Sequence, residues 1–104
     1  MTDNQFTLKT PYGSYQCKPV LHRYADNGRL ALRLVDAADN SPIATASVNF
    51  PEASIPEGYI AIKNWSENEG ILESLMEAGI VAPPSYAYDN GSICSPICKL
   101  LIAQ

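Results

Sequence analysis

From residue 5 the chain alternates apolar and polar positions in short runs, the period of half-buried strands, and turn residues break each run. QFTLKT stops at PYG, SYQCKPVLHRYA leads into DNG, and RLALRLVDA sets Leu30, Leu32 and Leu34 against Arg29, Ala31 and Arg33. Asn27 and Gly28 readily adopt positive φ, so a tight hairpin with one buried face is expected. Pro19 carries no backbone donor, which assigns it to a strand edge, a bulge or an interruption. Beyond the turn cluster DAADNSP, residues 43–50 (IATASVNF) resume alternation as a third meander strand, Ile43, Thr45, Ser47 and Asn49 opposing Ala44, Ala46, Val48 and Phe50. PEASIPEG should cross the surface. YIAIKN reads as a short strand in which Tyr59, Ala61 and Lys63 face away from Ile60 and Ile62.

The period changes in NWSENEGILESLMEAGI, residues 64–80. Ser66 and Glu69 stand at the spacing of a capping box, in which each side chain bonds the other's free amide at a helix start. Ile71, Leu72, Leu75 and Met76 form one apolar stripe, while Glu69, Glu73 and Glu77 repeat every four residues on another face. Gly79 supplies the C-terminal stop. These signals predict the principal helix over residues 67–78. IVAPPSYAYDNGS then reads as an exposed loop and ICSPICKLLIA as a closing strand. The expected fold class is α+β, a mainly antiparallel meander sheet of five or six strands with one principal helix.

At 104 residues the chain is expected to form a single domain, residues 1–104, because an independent core needs roughly 50 to 200 residues. A composition of 46% hydrophobic and 17% charged residues is that of a folded globule. Eleven Asp and Glu against seven Lys and Arg leave a net charge of −4, which repels a polyphosphate, so no direct nucleic-acid partner is expected. The basic residues Lys18, His22, Arg23, Arg29 and Arg33 read as a solvated strand face. No run approaches the roughly 20 apolar residues that span a bilayer, and MTDNQFTLKT lacks the basic start and apolar middle of a secretory signal. A cytoplasmic location with no membrane partner is expected, where Cys17, Cys94 and Cys98 would remain thiols.

Reactive constellations find little support. Cys94 and Cys98 could join Cys17 and His22 in a zinc set, but their spacing is not that of a knuckle and Pro96 intervenes, so packed thiols and no metal are expected. His22 is the only histidine, and nothing marks a nucleophile beside it. Asp36 with Asp39, and Glu67 with Glu69, lie at a turn and a cap, where backbone hydrogen bonding accounts for them. The glycines are scattered singly, without a phosphate loop. The expectation is a non-enzymatic protein with no catalytic residue and no cofactor. Six tyrosines and Trp65 serve either core packing or an interface; Tyr86 and Tyr88, in the proline loop, are the most available. Three glutamates four apart repel one another by a few tenths of a kcal/mol per adjacent pair, about what a solvated face tolerates. The same row could dock a basic partner. The candidate contact surface is therefore Glu69, Glu73 and Glu77, with Asp26 on the hairpin turn and Tyr86 and Tyr88 in the late loop.

The segments YADNGRLALRL, IATASVNF and NWSENEGILESLMEAGIV resemble a family of small bacterial proteins of unknown function, often from mobile elements. Members share a YADNG hairpin, a short strand and a helix ending close to EAGIV, and GSICSPIC fits their late G-x-x-x-x-P loop. The resemblance covers most of the chain, and its motifs are structural. It implies an anti-defence role: a small acidic phage or plasmid protein that inhibits a host complex, of the anti-CRISPR type, by occlusion or nucleic-acid mimicry. The alternatives are a small-ligand-binding or sequestering protein, and a structural or interaction module of a mobile element. The oligomeric state stays open, a homodimer included.

Overall fold

The computed structural model describes residues 5–65 and 68–102. Among them, β1 (Phe6–Thr10), β2 (Gly13–Arg23), β3 (Leu30–Asp36) and β4 (Pro42–Thr45) form a four-stranded sheet in that order. Then β5 (Tyr59–Ala61), α1 (Ile71–Glu77), β6 (Tyr86–Asp89) and β7 (Cys94–Lys99) follow, with the three strands ordered β5-β7-β6 in a second sheet. All pairings are antiparallel. The α+β class is as expected, and the strands divide between two sheets. No helix among the described residues is long and apolar enough to cross a membrane.

Register explains which residues are buried. In β2 and β3, Pro19 faces Leu34 and Leu21 faces Leu32, while Lys18 faces Val35 and Val20 faces Arg33 on the opposite side. Leu30, Leu32 and Leu34 therefore enter the core with Leu8 and Cys17. The Ala37 N–H donates to Gln16 O at 3.0 Å, so even-numbered residues of β2 carry the ladder to β3. The missing donor of Pro19 falls on the other side, past the last β1 pairing at Phe6 and Cys17, which is the edge position its chemistry demands.

The β2–β3 connection is wider than a tight hairpin. Residues 24–29 close through Tyr24 N–H to Arg29 O, and Gly28 alone takes positive φ, at 71°. Asn27 instead uses its side chain, accepting the Arg29 N–H at 3.1 Å and donating to Asn49. The third meander strand also stops early, at Thr45. Ser47 leaves that sheet to bridge Ile62, and its buried Oγ accepts the Leu32 N–H at 2.9 Å and bonds the Tyr24 hydroxyl at 2.8 Å. This crossing gives the second sheet two apolar faces. Ile60, Ile62, Cys98 and Leu100 join the main core, whereas Ala61 and Ile97 pack with Phe50 and Ala53 of the 48–55 segment. The segment read as an exposed loop before the closing strand contains β6, an edge strand.

The helix spans Ile71–Glu77 rather than residues 67–78. Gly70 is the cause: at φ 90° it occupies the left-handed region and ends any helix arriving from its N-terminal side. Ser66, one half of the expected capping box, lies outside the described residues, and Glu69 sits in a turn before the helix. Capping comes from farther away, where Asn64 Oδ1 accepts the Leu72 N–H at 3.1 Å. At the other end Gly79 N–H donates to Met76 O and Ile80 N–H to Leu75 O, each at 3.0 Å, a Schellman motif with Ile80 buried. Ile71 and Leu75 are buried, Leu72 and Met76 half-buried against the core. The helix lies along β1, and Ser74 Oγ accepts the Lys9 N–H of that edge strand at 3.2 Å.

Candidate functional site

The six expected contact residues separate into distinct neighbourhoods. Glu73 and Glu77 are exposed on α1, Glu69 is exposed in the preceding turn, and the expected row of three helical glutamates is a row of two. No ion pair engages Glu69, Glu73 or Glu77 among the described residues. They lie with α1 beside β1, an outer strand of the four-stranded sheet. Tyr86 and Tyr88 lie on β6, an outer strand of the other sheet. Asp26 is exposed in the 24–29 connection.

On β6 the tyrosine hydroxyls are committed. Tyr86 donates to Ser54 O at 3.1 Å and Tyr88 to Glu52 Oε2 at 2.7 Å, while the Tyr88 ring packs 4.7 Å from Phe50. That hydrogen bond holds Tyr88 above the ordinary phenol range and Glu52 below the ordinary carboxylate range. Arg29 fastens the same segment by donating to the carbonyls of Phe50, at 2.6 Å, and Ala53. The pair therefore clamps residues 50–54 over the second cluster, although Tyr86 keeps 42% of its surface exposed.

A concave site lies elsewhere. The β1–β2 turn is tied by Thr10 Oγ1, which accepts the Tyr12 N–H and donates to Gly13 O, both at 3.0 Å. Tyr12 of this turn, 76% exposed, and Tyr15 of β2, 40% exposed, stand at a cleft of about 350 Å³. Leu8 and Ile71 line it with Ile43, Ala44 and the buried Asn68, whose Nδ2 donates to Thr45 O at 2.7 Å. Among the described lining residues Asp36 is the only charged one. One oxygen of Asp36 accepts the Ala38 N–H at 2.7 Å, and the 36–41 turn is pinned by Asp36 N–H to Ser41 O at 2.7 Å. The thiol of Cys17 nearby is pushed up to about 11, first by burial and also by the Asp36 charge. Across β4 a second groove, of about 410 Å³, carries Arg33 and Lys63 among its described lining residues.

Tyr12, Tyr15 and Asp36 were visible in the sequence as two of six tyrosines and as half of a turn carboxylate pair. The signal that could have joined them is the alternation itself: Tyr15 shares the parity of buried Cys17, so it projects to the core side of the sheet. The remaining polar candidates are dispersed. His22 is exposed with its ring 6.1 Å from Tyr24, Cys94 is exposed on β7, and Cys17 and Cys98 are buried in different sheets. Comparison with known protein families, with curated proteins and with solved structures finds no match.

Proposed function

We propose that this is a cytoplasmic, non-enzymatic binding protein of the anti-CRISPR type, which inhibits a host defence complex by occluding a basic surface or mimicking nucleic acid there. The observation that carries the reading is the pair Glu73 and Glu77, exposed four residues apart on α1 with no ion pair among the described residues, and Glu69 exposed just before them. Repulsion within that pair slightly opposes the helix, so stability does not require it. A net charge of −4 favours encounter with a basic groove. The family resemblance to mobile-element proteins supplies the class of host target.

Glu73→Lys combined with Glu77→Lys should leave the melting temperature unchanged or slightly higher while weakening capture of the basic host complex in a pull-down read by mass spectrometry. The loss should be greater at low salt, where charge attraction is least screened. Undiminished capture at low salt sinks the acidic-mimic mechanism. The cleft beneath Tyr12 and Tyr15 favours a second reading, a small-ligand-binding protein; a thermal shift with a nucleotide or metabolite, and no protein partner captured, would select it.

A further inference from the structure

We propose that the cleft beneath Tyr12 and Tyr15 is a seat for a guanidinium group, the side chain of an arginine presented by a basic protein partner. This rests on the reading of the protein as a binder of such a partner, and it names a second point of contact away from the helix glutamates. Among the described residues the lining carries one carboxylate, Asp36, and no cation, so a positive group is complemented and a phosphate or carboxylate is not. One Asp36 oxygen is held by the Ala38 N–H, and the other makes no hydrogen bond to a described residue. The hydroxyls of Tyr12 and Tyr15 likewise make no hydrogen bond to a described residue, unlike those of Tyr24, Tyr86 and Tyr88.

Two exposed aromatic rings beside a carboxylate suit a guanidinium better than an ammonium. It is planar, weakly hydrated, stacks on aromatic faces and keeps donors for the carboxylate in its own plane. Leu8, Ala44 and Ile71 offer an apolar floor for the methylene stem. A volume of about 350 Å³ lies at the small end of ligand pockets, the scale of one or two peptide side chains.

The test titrates the intact protein with acetyl-Gly-Arg-Gly-amide and with the citrulline peptide, its neutral isostere, following the Tyr12 and Tyr15 ring resonances by NMR. The arginine peptide should bind about tenfold tighter, the size of one charge-assisted hydrogen bond. Asp36→Asn, which retains the acceptor for the Ala38 N–H, should reduce that preference below about twofold at an unchanged melting temperature. Tyr12→Ala should weaken the arginine peptide without restoring the citrulline one. Equal binding of the two peptides, or an arginine preference that survives Asp36→Asn, overturns the proposal. The two readings fail separately: loss of peptide preference with host capture still sensitive to Glu73→Lys and Glu77→Lys removes the cleft alone, and the converse removes the helix alone.

Discussion

Tyr15 and Tyr86 expose nearly the same fraction of their surface, 40% and 42%, yet they stand in opposite situations. Tyr86 shares with Tyr88 the task of holding residues 50–54, and both hydroxyls end on that segment. Tyr15 shares with Tyr12 the rim of a cleft, and neither hydroxyl makes a hydrogen bond to a described residue. Exposure therefore does not identify an available side chain; the destination of its polar end does. A ring whose hydroxyl is already satisfied contributes to stability, while a ring with an unsatisfied hydroxyl over a concave surface remains free for a ligand.

The sharpest way to break this comparison is to remove what lies under the β6 pair. Phe50→Ala should cost about 3 kcal/mol by chemical denaturation, because it empties the centre of the second cluster, whereas Tyr12→Ala should stay within about 0.5 kcal/mol. Equal destabilisation by the two changes would mean that the cleft rim is structural too.

A smaller effect separates the two sheets, each of which buries one thiol. Burial pushes Cys17 and Cys98 from 9.0 up to about 11. An unfolded chain releases these protons as pH rises past 9.0 while the folded chain retains them, so their stabilisation is intact below that pH and is lost between there and about 11. Each thiol contributes a slope of up to about 1.4 kcal/mol per pH unit, and thermal melts of the Cys17→Ala, Cys98→Ala double variant should lose that part of the alkaline decline. Asp36→Asn should lower the Cys17 value and leave Cys98 in place, read from the cysteine Cβ NMR shifts, since Asp36 acts on Cys17 alone. Parallel movement of both would remove the electrostatic link between Asp36 and the cleft side of the core.

The smallest change concerns the hydroxyls themselves. Glu52→Gln should bring Tyr88 back down towards 10.0, seen in tyrosinate absorbance, because the carboxylate that accepts its proton is the main cause of the raised value. An unshifted Tyr88 would show that its hydroxyl is as uncommitted as that of Tyr12.

Local chemistry made much of the fold legible. The parity of Leu30, Leu32 and Leu34 assigned the core face of β3, the stripe from Ile71 to Met76 assigned the buried face of α1, and Gly79 marked where the helix ends. Each depends on a period or a dihedral preference within a few residues. The helix start was missed because Gly70 is tolerated by a helical pattern at about 1 kcal/mol, and only its φ of 90° shows that the chain turns there. Of the candidate site, Glu73 and Glu77 were readable from their spacing. The cleft was not, since Tyr12, Tyr15, Asp36 and Ile71 come from three elements and a turn.

By itself, then, the sequence determined the α+β class, the faces of the main strands, the apolar stripe of the helix and a net charge of −4. Tertiary structure decided that the strands form two sheets, because Ser47 leaves the first to bridge Ile62 while its hydroxyl remains bound to Leu32. It also decided which tyrosines are free. Hydrogen bonds between residues more than thirty positions apart, Tyr86 to Ser54 and Tyr88 to Glu52, follow no local period. They exist because burying Phe50 and Ala53 against Ile97 brings those backbones together.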